Sequence, residues 1–233
     1  PIMTPNPTAH AGSSAPEPLP RRMELPIIKD LSSSLPPYSR EDWQHWTDID
    51  EDCQNTRHEV LLAESAGPVT FKTAKKCHVV SGQWWAAYRD VAVTDASELD
   101  VDHLVPLENA HRSGGWSWDT ETKRRYANNV ADAFHLIAVT AGANRSKGSD
   151  GPDKWRPPNT SYWCRYATDW VRVKTTWGLT VTTAEALALT EMLSSCEPPV
   201  TVIQAPHRTA TTPASEPTPD PAATPTTAAT PTT

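Results

Sequence analysis

The sequence predicts an α+β fold for one folded unit, and three observations support this prediction. All ten Trp and all four Cys lie between residues 41 and 196, a stretch that holds only five of the 23 Pro. Helix signals stand near both ends of this stretch, and strand-like apolar runs lie between them. We therefore expect one domain at 41–196, with disordered segments at 1–40, rich in Pro and Ser, and at 197–233, rich in Thr, Pro and Ala.

Three helices are predicted from capping signals and periodicity. Thr56 and Thr182 each begin a Thr-x-x-Glu capping box that precedes an apolar run. From Trp163 to Trp177, aromatic and apolar residues recur at spacings of three and four, and Gly178 follows as a stop signal. We expect this aromatic stripe to pack in the core.

The remaining elements are predicted between the first and last helices. Strands at 78–80 and 83–85 flank a tight turn at Ser81-Gly82. A strand-like run at 99–107 contains two carboxylates and an imidazole, and burying such groups is costly unless they are paired or bind a metal. A further strand is expected at 134–139, after short helices at 108–112 and following Asp119.

The four cysteines contain no Cys-x-x-Cys pair, which argues against a structural zinc site. Of the three possible pairings, Cys53–Cys77 and Cys164–Cys196 are favoured because each closes a short local loop between elements that we expect to pack together. Each bridge would stabilise the fold by about 3 kcal/mol. Two disulfides indicate secretion or a cell-surface location, whereas four buried free thiols remain the alternative. No signal or anchor is expected in this chain, and no apolar run approaches the roughly 18 residues of a membrane helix.

Three segments, in this order, resemble the HNH, or His-Me finger, endonucleases. They are D-H-L-V-P at 102–106, a strand beginning at His135, and N-R-S-K-G at 144–148. The chain is most similar to the secreted, actinobacterial-type branch, whose members share D-H-x-x-P-L and N-R-S-K-G segments. The resemblance is strongest over 99–158 and extends weakly across 52–196.

The resemblance implies a ββα-metal core at about 99–158, with additional helices and a hairpin, and a secreted endonuclease with little sequence specificity. His103 would be the general base, because an imidazole with a pKa of about 6.5 is largely neutral at pH 7. Asp102 and Asn144 would hold one divalent metal, with Mg²⁺ expected first and Mn²⁺ second, since oxygen ligands suit hard cations. His135 occupies the position of the family's middle Asn and is expected to be structural.

The implied substrate is DNA, with RNA as a second candidate, and the implied protein is a monomer without a stable protein partner. Arg145 and Lys147, expected at the start of the metal-bearing helix, are the first candidates to contact phosphate. Arg124 and Arg125 on the preceding helix are the next candidates. The formal net charge of −7 does not oppose this assignment, since residues 102–177 hold 11 Lys and Arg against 8 Asp and Glu.

Strand geometry places a condition on this assignment. Adjacent side chains of a regular strand face opposite ways, so Asp102 and His103 can serve one site only if the strand ends or bulges there. Pro106 fits such an ending. One different class of function stays open, namely a catalytically inactive extracellular or envelope binding protein that keeps the HNH fold.

Overall fold

The structure, a computed structural model, describes residues 22–26, 29, 34–197 and 201–204. Within these ranges it has the predicted α+β composition. The helices are α1 (Thr56–Glu64), α2 (Leu107–Arg112), α3 (Thr120–Ala127), α4 (Ala141–Lys147), α5 (Trp163–Thr176) and α6 (Thr183–Leu193). The strands are β1 (Arg22–Leu25), β2 (Thr70–Phe71), β3 (Val79–Ala86), β4 (Val91–Asp95), β5 (Leu99–His103), β6 (Leu136–Thr140) and β7 (Thr201–Gln204).

A strand-strand-helix unit lies at the centre of the fold. β5 and β6 pair antiparallel, with His103 opposite Leu136 at the end of β5. Helix α4 begins directly after β6, because the side chain of Thr140 accepts a hydrogen bond from the backbone N–H of Ala143 and so caps the helix. The two strands and α4 therefore form the ββα arrangement that was predicted for this region.

Strand β5 crosses between two hydrophobic clusters. Leu99 and Val101 pack in a cluster with residues of α1 and β3. Leu104 and Val105, just beyond the strand, pack in the larger cluster with the aromatic residues of α5. Burial on both sides holds the polar residues of β5 in fixed positions.

The predicted start of α1 is wrong by one residue. Asn55 is the N-cap, and its side chain accepts a hydrogen bond from the backbone N–H of His58. Thr56 is the first helical residue, and its hydroxyl instead donates to the backbone carbonyl of Thr47. An Asn directly before Thr competes for the cap position, and the Thr-x-x-Glu pattern alone does not show which residue prevails.

The other two helix predictions are confirmed. The side chain of Thr182 and that of Glu185 form the reciprocal capping box of α6. Helix α5 ends one residue before Trp177, and Gly178 follows with φ of 62°. This left-handed conformation is one that glycine adopts without strain.

The predicted turn at Ser81-Gly82 is wrong, because β3 runs without interruption through both residues. Ser81 pairs with Thr70 of β2 on one side and with Asp95 of β4 on the other. The register shifts between Ser81 and Trp84, so glycine marks an irregularity inside a strand here. The hairpin turn lies at 87–90, where Asp90 has φ of 59°.

The described structure extends beyond the predicted domain at 41–196. β1 and β7 pair in parallel, with Met23 opposite Val202. Both strands lie inside segments that were predicted to be disordered, and the side chains of Met23 and Leu25 are buried in the larger cluster. Burial of this short apolar stretch compensates for the Pro-rich composition around it. Residues 34–40, which also belong to the first of these segments, are described, whereas 1–21 and 205–233 lie outside the described residues.

Two disulfides connect the peripheral elements to the core. Cys53–Cys77 joins the loop before α1 to the segment before β3, and Cys164–Cys196 joins α5 to the residues after α6. These are the two pairings that the sequence analysis favours. Among the described residues, no helix has the length and apolar character needed to cross a membrane.

Candidate active site

A pocket of about 540 Å³ lies beside the end of β5 and the last turn of α4. This volume is within the roughly 300 to 1,000 Å³ that is usual for ligand clefts. The pocket is lined by Asp100, Val101, Asp102, His103, Pro106, Leu107, Glu108, Asn144, Arg145, Gly148 and Ser149, and from N-terminal segments by Tyr38, Arg40, Trp46 and Arg57.

His103 is the last residue of β5 and is almost fully buried at the pocket wall. Its Nε2 lies 2.9 Å from the backbone carbonyl oxygen of Ala127. Because a carbonyl only accepts, Nε2 carries the proton and Nδ1 is the nitrogen with a free lone pair. Burial holds the pKa of His103 well below its usual range. The imidazole is therefore neutral near pH 7, and its Nδ1 can accept a proton.

The carbonyl of Ala127 is held in place by Asn128, to which the sequence analysis assigns no role. The buried amide of Asn128 donates to the carbonyls of Gln44 and Arg124, at 2.6 and 2.8 Å. Its Oδ1 accepts from the backbone N–H of Thr47 and the hydroxyl of Thr56, both at 2.9 Å. A buried amide with all of these partners fixes the loop after α3, and through it the orientation of the imidazole.

The carboxylate of Asp102 is buried and hydrogen-bonded. Its Oδ2 accepts from the hydroxyl of Tyr88 at 2.7 Å and from Nζ of Lys147 at 2.6 Å. Lys147 also donates to the backbone carbonyl of His103, at 2.9 Å. Burial raises the pKa of Asp102, while the Lys147 ammonium and the Tyr88 hydroxyl oppose that shift.

The position of Lys147 differs from the expectation. Both Lys147 and Arg145 lie in the last turn of α4 rather than at its start, and the side chain of Lys147 is fully buried. A buried ammonium that already bonds a carboxylate does not fit the role of a phosphate contact. The N-R-S-K-G segment showed the residue type but not the face of the helix on which it lies.

Asn144 and Arg145 meet at Asp100. Nδ2 of Asn144 donates to Oδ2 of Asp100 at 3.1 Å, and Nε of Arg145 lies 3.6 Å from the same oxygen. The side chain of Arg145 is 76% exposed, so its guanidinium remains accessible from the pocket. Asp100 has no assigned role in the sequence analysis. Its signal is the alternation Asp-x-Asp, which places Asp100 and Asp102 on the same side of a strand.

Asp102 and His103 are adjacent residues at the end of β5. β5 ends at His103, three residues before Pro106, and both side chains line the same pocket. The register of β5 with β6 is regular from Leu99 to His103, and the backbone N–H of Leu104 still donates to the carbonyl of His135, at 3.0 Å. The strand therefore ends near the imidazole without a bulge.

Comparison with known proteins identifies the family. Residues 55–192 match the model of the "GmrSD restriction endonucleases, C-terminal domain". The match covers more than half of the chain. The chain belongs to this family. It is also 42% identical over 159 residues to a protein of Arthroderma benhamiae called "Uncharacterized secreted protein". The aligned region covers 68% of this chain and 76% of that relative. No solved structure matches the chain.

The match supports membership of an HNH-like nuclease family, in agreement with the order of the motifs. Three residues with roles predicted from the sequence lie outside the pocket lining. Arg124 of α3 makes two hydrogen bonds to Glu121, and Arg125 bonds the hydroxyl of Thr122. His135 is buried, and its Nε2 donates to the backbone carbonyl of Tyr126 at 2.8 Å.

The pocket of this chain also contains cations to which the sequence analysis assigns no role. Arg57 lines the pocket and donates through Nη2 to the carbonyls of Ala96 and Leu99, at 3.0 and 2.9 Å. Arg40 is a second cation in the pocket lining. Arg57 lies in the stretch T-R-H-E-V-L at 56–61, inside the region 52–196 over which the family resemblance is weak.

Proposed function

We propose that this protein is a secreted, metal-dependent HNH endonuclease that hydrolyses phosphodiester bonds of DNA, and secondarily of RNA, with little sequence specificity. The observation that carries the proposal is the meeting of His103, Asp102 and Asn144 in one pocket with an accessible guanidinium, that of Arg145. The family match supports the reaction class. The printed name of the Arthroderma benhamiae relative supports secretion, and so do the two disulfides.

The donor atoms around the pocket fit a hard divalent cation. Carboxylates of Asp100 and Asp102 and the amide oxygen of Asn144 are oxygen donors, and Mg²⁺ prefers such ligands. The Nδ2 atom of Asn144 is occupied by Asp100, which leaves Oδ1 as its donor atom. We infer that Asp102 and Asn144 are the protein ligands, with Asp100 orienting the amide of Asn144 from behind. A divalent cation at these oxygens supplies charge stabilisation for the phosphate and the leaving oxygen.

The chain's own groups account for the proton transfer and the orientation of the substrate. Nδ1 of His103 takes the proton from the attacking water, and the carbonyl of Ala127 holds the ring in the tautomer that permits this. Lys147 anchors Asp102 and the backbone of His103 at the same time. The guanidinium of Arg145, next to Asn144 in sequence, contacts a phosphate oxygen of the substrate.

Plasmid cleavage tests this function directly. In a buffer that contains Mg²⁺, the protein is expected to nick and then linearise supercoiled plasmid, and EDTA is expected to stop both steps because it removes the cation. His103→Ala should slow cleavage by about 10²- to 10⁴-fold, the usual contribution of a general base. His78→Ala is the matched control, because that imidazole is exposed and does not line the pocket.

The catalytically inactive binding protein remains the second candidate, and the Lys147–Asp102 ion pair is the observation that favours it. An ammonium at Asp102 reduces the negative charge that would attract a cation. In that case wild type and His103→Ala would cleave plasmid equally, at the level of a buffer blank.

A further inference from the structure

One wall of the pocket comes from segments that have no part in the proposed proton transfer or metal binding. Tyr38, Arg40 and Trp46 precede α1, and Arg57 lies in its first turn. All four line the pocket, and we call them the N-terminal wall. Aromatic rings stack on bases, and guanidinium groups bind phosphate oxygens. The wall therefore combines the two types of side chain that hold a nucleic acid strand.

The backbone of Trp46 has φ of 57°, a left-handed conformation that bulky residues rarely adopt. Its neighbours on both sides hold it there. Trp43 is fully buried in the larger cluster, and the backbone N–H of Thr47 donates to Oδ1 of Asn128 at 2.9 Å. Backbone strain of this kind persists only where the surroundings fix it, and it is concentrated at catalytic and ligand-binding sites. The strain supports a role of Trp46 in the pocket itself.

The ring of Trp46 lies beside the proposed general base. Its centroid is 5.2 Å from that of His103, and the two ring planes are 34° apart. The side chain of Trp46 lines the pocket and is only partly buried. When water held at Nδ1 of His103 attacks a phosphate, the base next to that phosphate lies within reach of this ring. Stacking on an aromatic ring accepts any base, in agreement with little sequence specificity.

The two arginines of the wall are held in place by the protein. Nη2 of Arg57 donates to the carbonyls of Ala96 and Leu99, at 3.0 and 2.9 Å. Nε and Nη1 carry the remaining donors of this planar group. Nη2 of Arg40 lies 3.2 Å from Nε2 of His45. A guanidinium that is already oriented loses less side-chain freedom when it binds phosphate, which suits Arg57 above all to this contact.

We propose that the N-terminal wall binds an unpaired nucleotide next to the scissile phosphate, with its base stacked on Trp46 and its phosphate held by Arg57. The inference rests on the proposed nuclease function and narrows its substrate to single-stranded DNA. A base inside a duplex is stacked between its neighbours, and extracting it costs free energy, a cost that a single strand avoids. His103 and Asp102 are only 6% and 4% exposed, so the reacting phosphate has to enter the pocket. Negatively supercoiled plasmid remains a substrate, because supercoiling favours local opening of base pairs.

Binding of a fluorescent oligonucleotide of about 16 nucleotides to the full chain, followed by anisotropy in EDTA, tests the wall without hydrolysis. Wild type should bind the single strand at least about tenfold more tightly than the duplex of the same sequence. Trp46→Ala should weaken single-strand binding by about 5- to 150-fold, the usual effect of losing one stacked base. Trp85→Ala is the matched control, because Trp85 is 59% exposed and lies outside the pocket lining. It should leave the affinity within about twofold of wild type.

An abasic strand of the same length separates stacking from a structural effect of the substitution. Wild type should bind the normal strand at least about fivefold more tightly than the abasic strand, a comparison that needs no variant. Folded Trp46→Ala should bind the abasic strand within about twofold of wild type, because no base is left to stack. Trp46→Phe keeps an aromatic face and should bind the normal strand at least about fivefold more tightly than Trp46→Ala. Arg57→Gln removes one phosphate contact and should reduce the slope of log affinity against log salt concentration by about 0.7.

Cleavage in Mg²⁺ buffer distinguishes a failure of this inference from a failure of the nuclease proposal. Wild type should cleave the single strand with a kcat/KM at least about tenfold above that for the duplex. Cleavage of neither substrate would contradict the nuclease proposal, and the binding data would then decide this inference alone. Equal binding of single strand and duplex by wild type would overturn the inference. An equal loss of affinity for normal and abasic strands in Trp46→Ala, or no loss for either, would do the same.

Discussion

Acidification should destabilise this protein through His135, and the size of the effect follows from its surroundings. The imidazole is almost fully buried between Tyr126 and Trp177, donates through Nε2 to the carbonyl of Tyr126, and has no partner for Nδ1 among the described residues. Burial lowers the pKa of His135 to about 4. In the unfolded chain the imidazole of His135 is protonated below a pH of about 6.5, whereas in the folded chain it is protonated only near pH 4. The contribution of His135 to the free energy of unfolding is therefore fully present above about pH 6.5 and is lost as the pH falls towards 4.

At pH 5 this difference amounts to about 2 kcal/mol of unfolding free energy, from about 1.36 kcal/mol per pKa unit. Urea unfolding followed by Trp fluorescence at pH 7.5 and pH 5 measures it, in wild type and in His135→Gln. The Gln amide can keep the bond to Tyr126 but does not titrate. The wild-type protein should lose about 2 kcal/mol more than the variant between the two pH values. Other titrating groups, His103 among them, cancel in this comparison. Equal losses in the two proteins would refute the reasoning.

Three further predictions concern the site and the fold. Arg145→Ala should raise KM and reduce the slope of log affinity against log salt concentration by about 1, measured by salt titration of DNA binding. Arg125 lies outside the pocket lining, so Arg125→Ala should change neither quantity. Lys147→Met leaves its buried carboxylate partner unpaired and should cost about 3 to 5 kcal/mol in urea unfolding. Removing the Cys164–Cys196 bridge, which spans 32 residues, should lower the unfolding free energy by about 3 to 4 kcal/mol in the chain-entropy account.

The ββα unit was predicted from the resemblance of three short segments to the HNH endonucleases. Two local signals, the apolar run of β5 and the strand-like run before α4, agree with that prediction. Helix α5 was likewise predictable, since its aromatic stripe and Gly178 are independent signals of one element. Where two local signals compete, as at Asn55 and Thr56 or at Ser81-Gly82, tertiary packing decided, and the sequence-based prediction was wrong.

The partners of the site residues could not be predicted, because they come from distant parts of the chain. Tyr88, fourteen residues before Asp102, and Lys147, forty-five residues after it, meet on one carboxylate oxygen. Asn128 has no motif, yet it joins segments more than seventy residues apart. The parallel pairing of β1 with β7 is the longest-range contact of this kind, and the Pro-rich composition around both strands hid it.

The rate of plasmid cleavage by His103→Ala, relative to wild type and to His78→Ala in the same Mg²⁺ buffer, tests the central claim most directly. The proposed mechanism predicts a fall of about 10²- to 10⁴-fold for His103→Ala and no change for the control, with both variants folded as judged by circular dichroism and urea unfolding. Equal cleavage by wild type and His103→Ala would contradict the assignment of His103 as the general base.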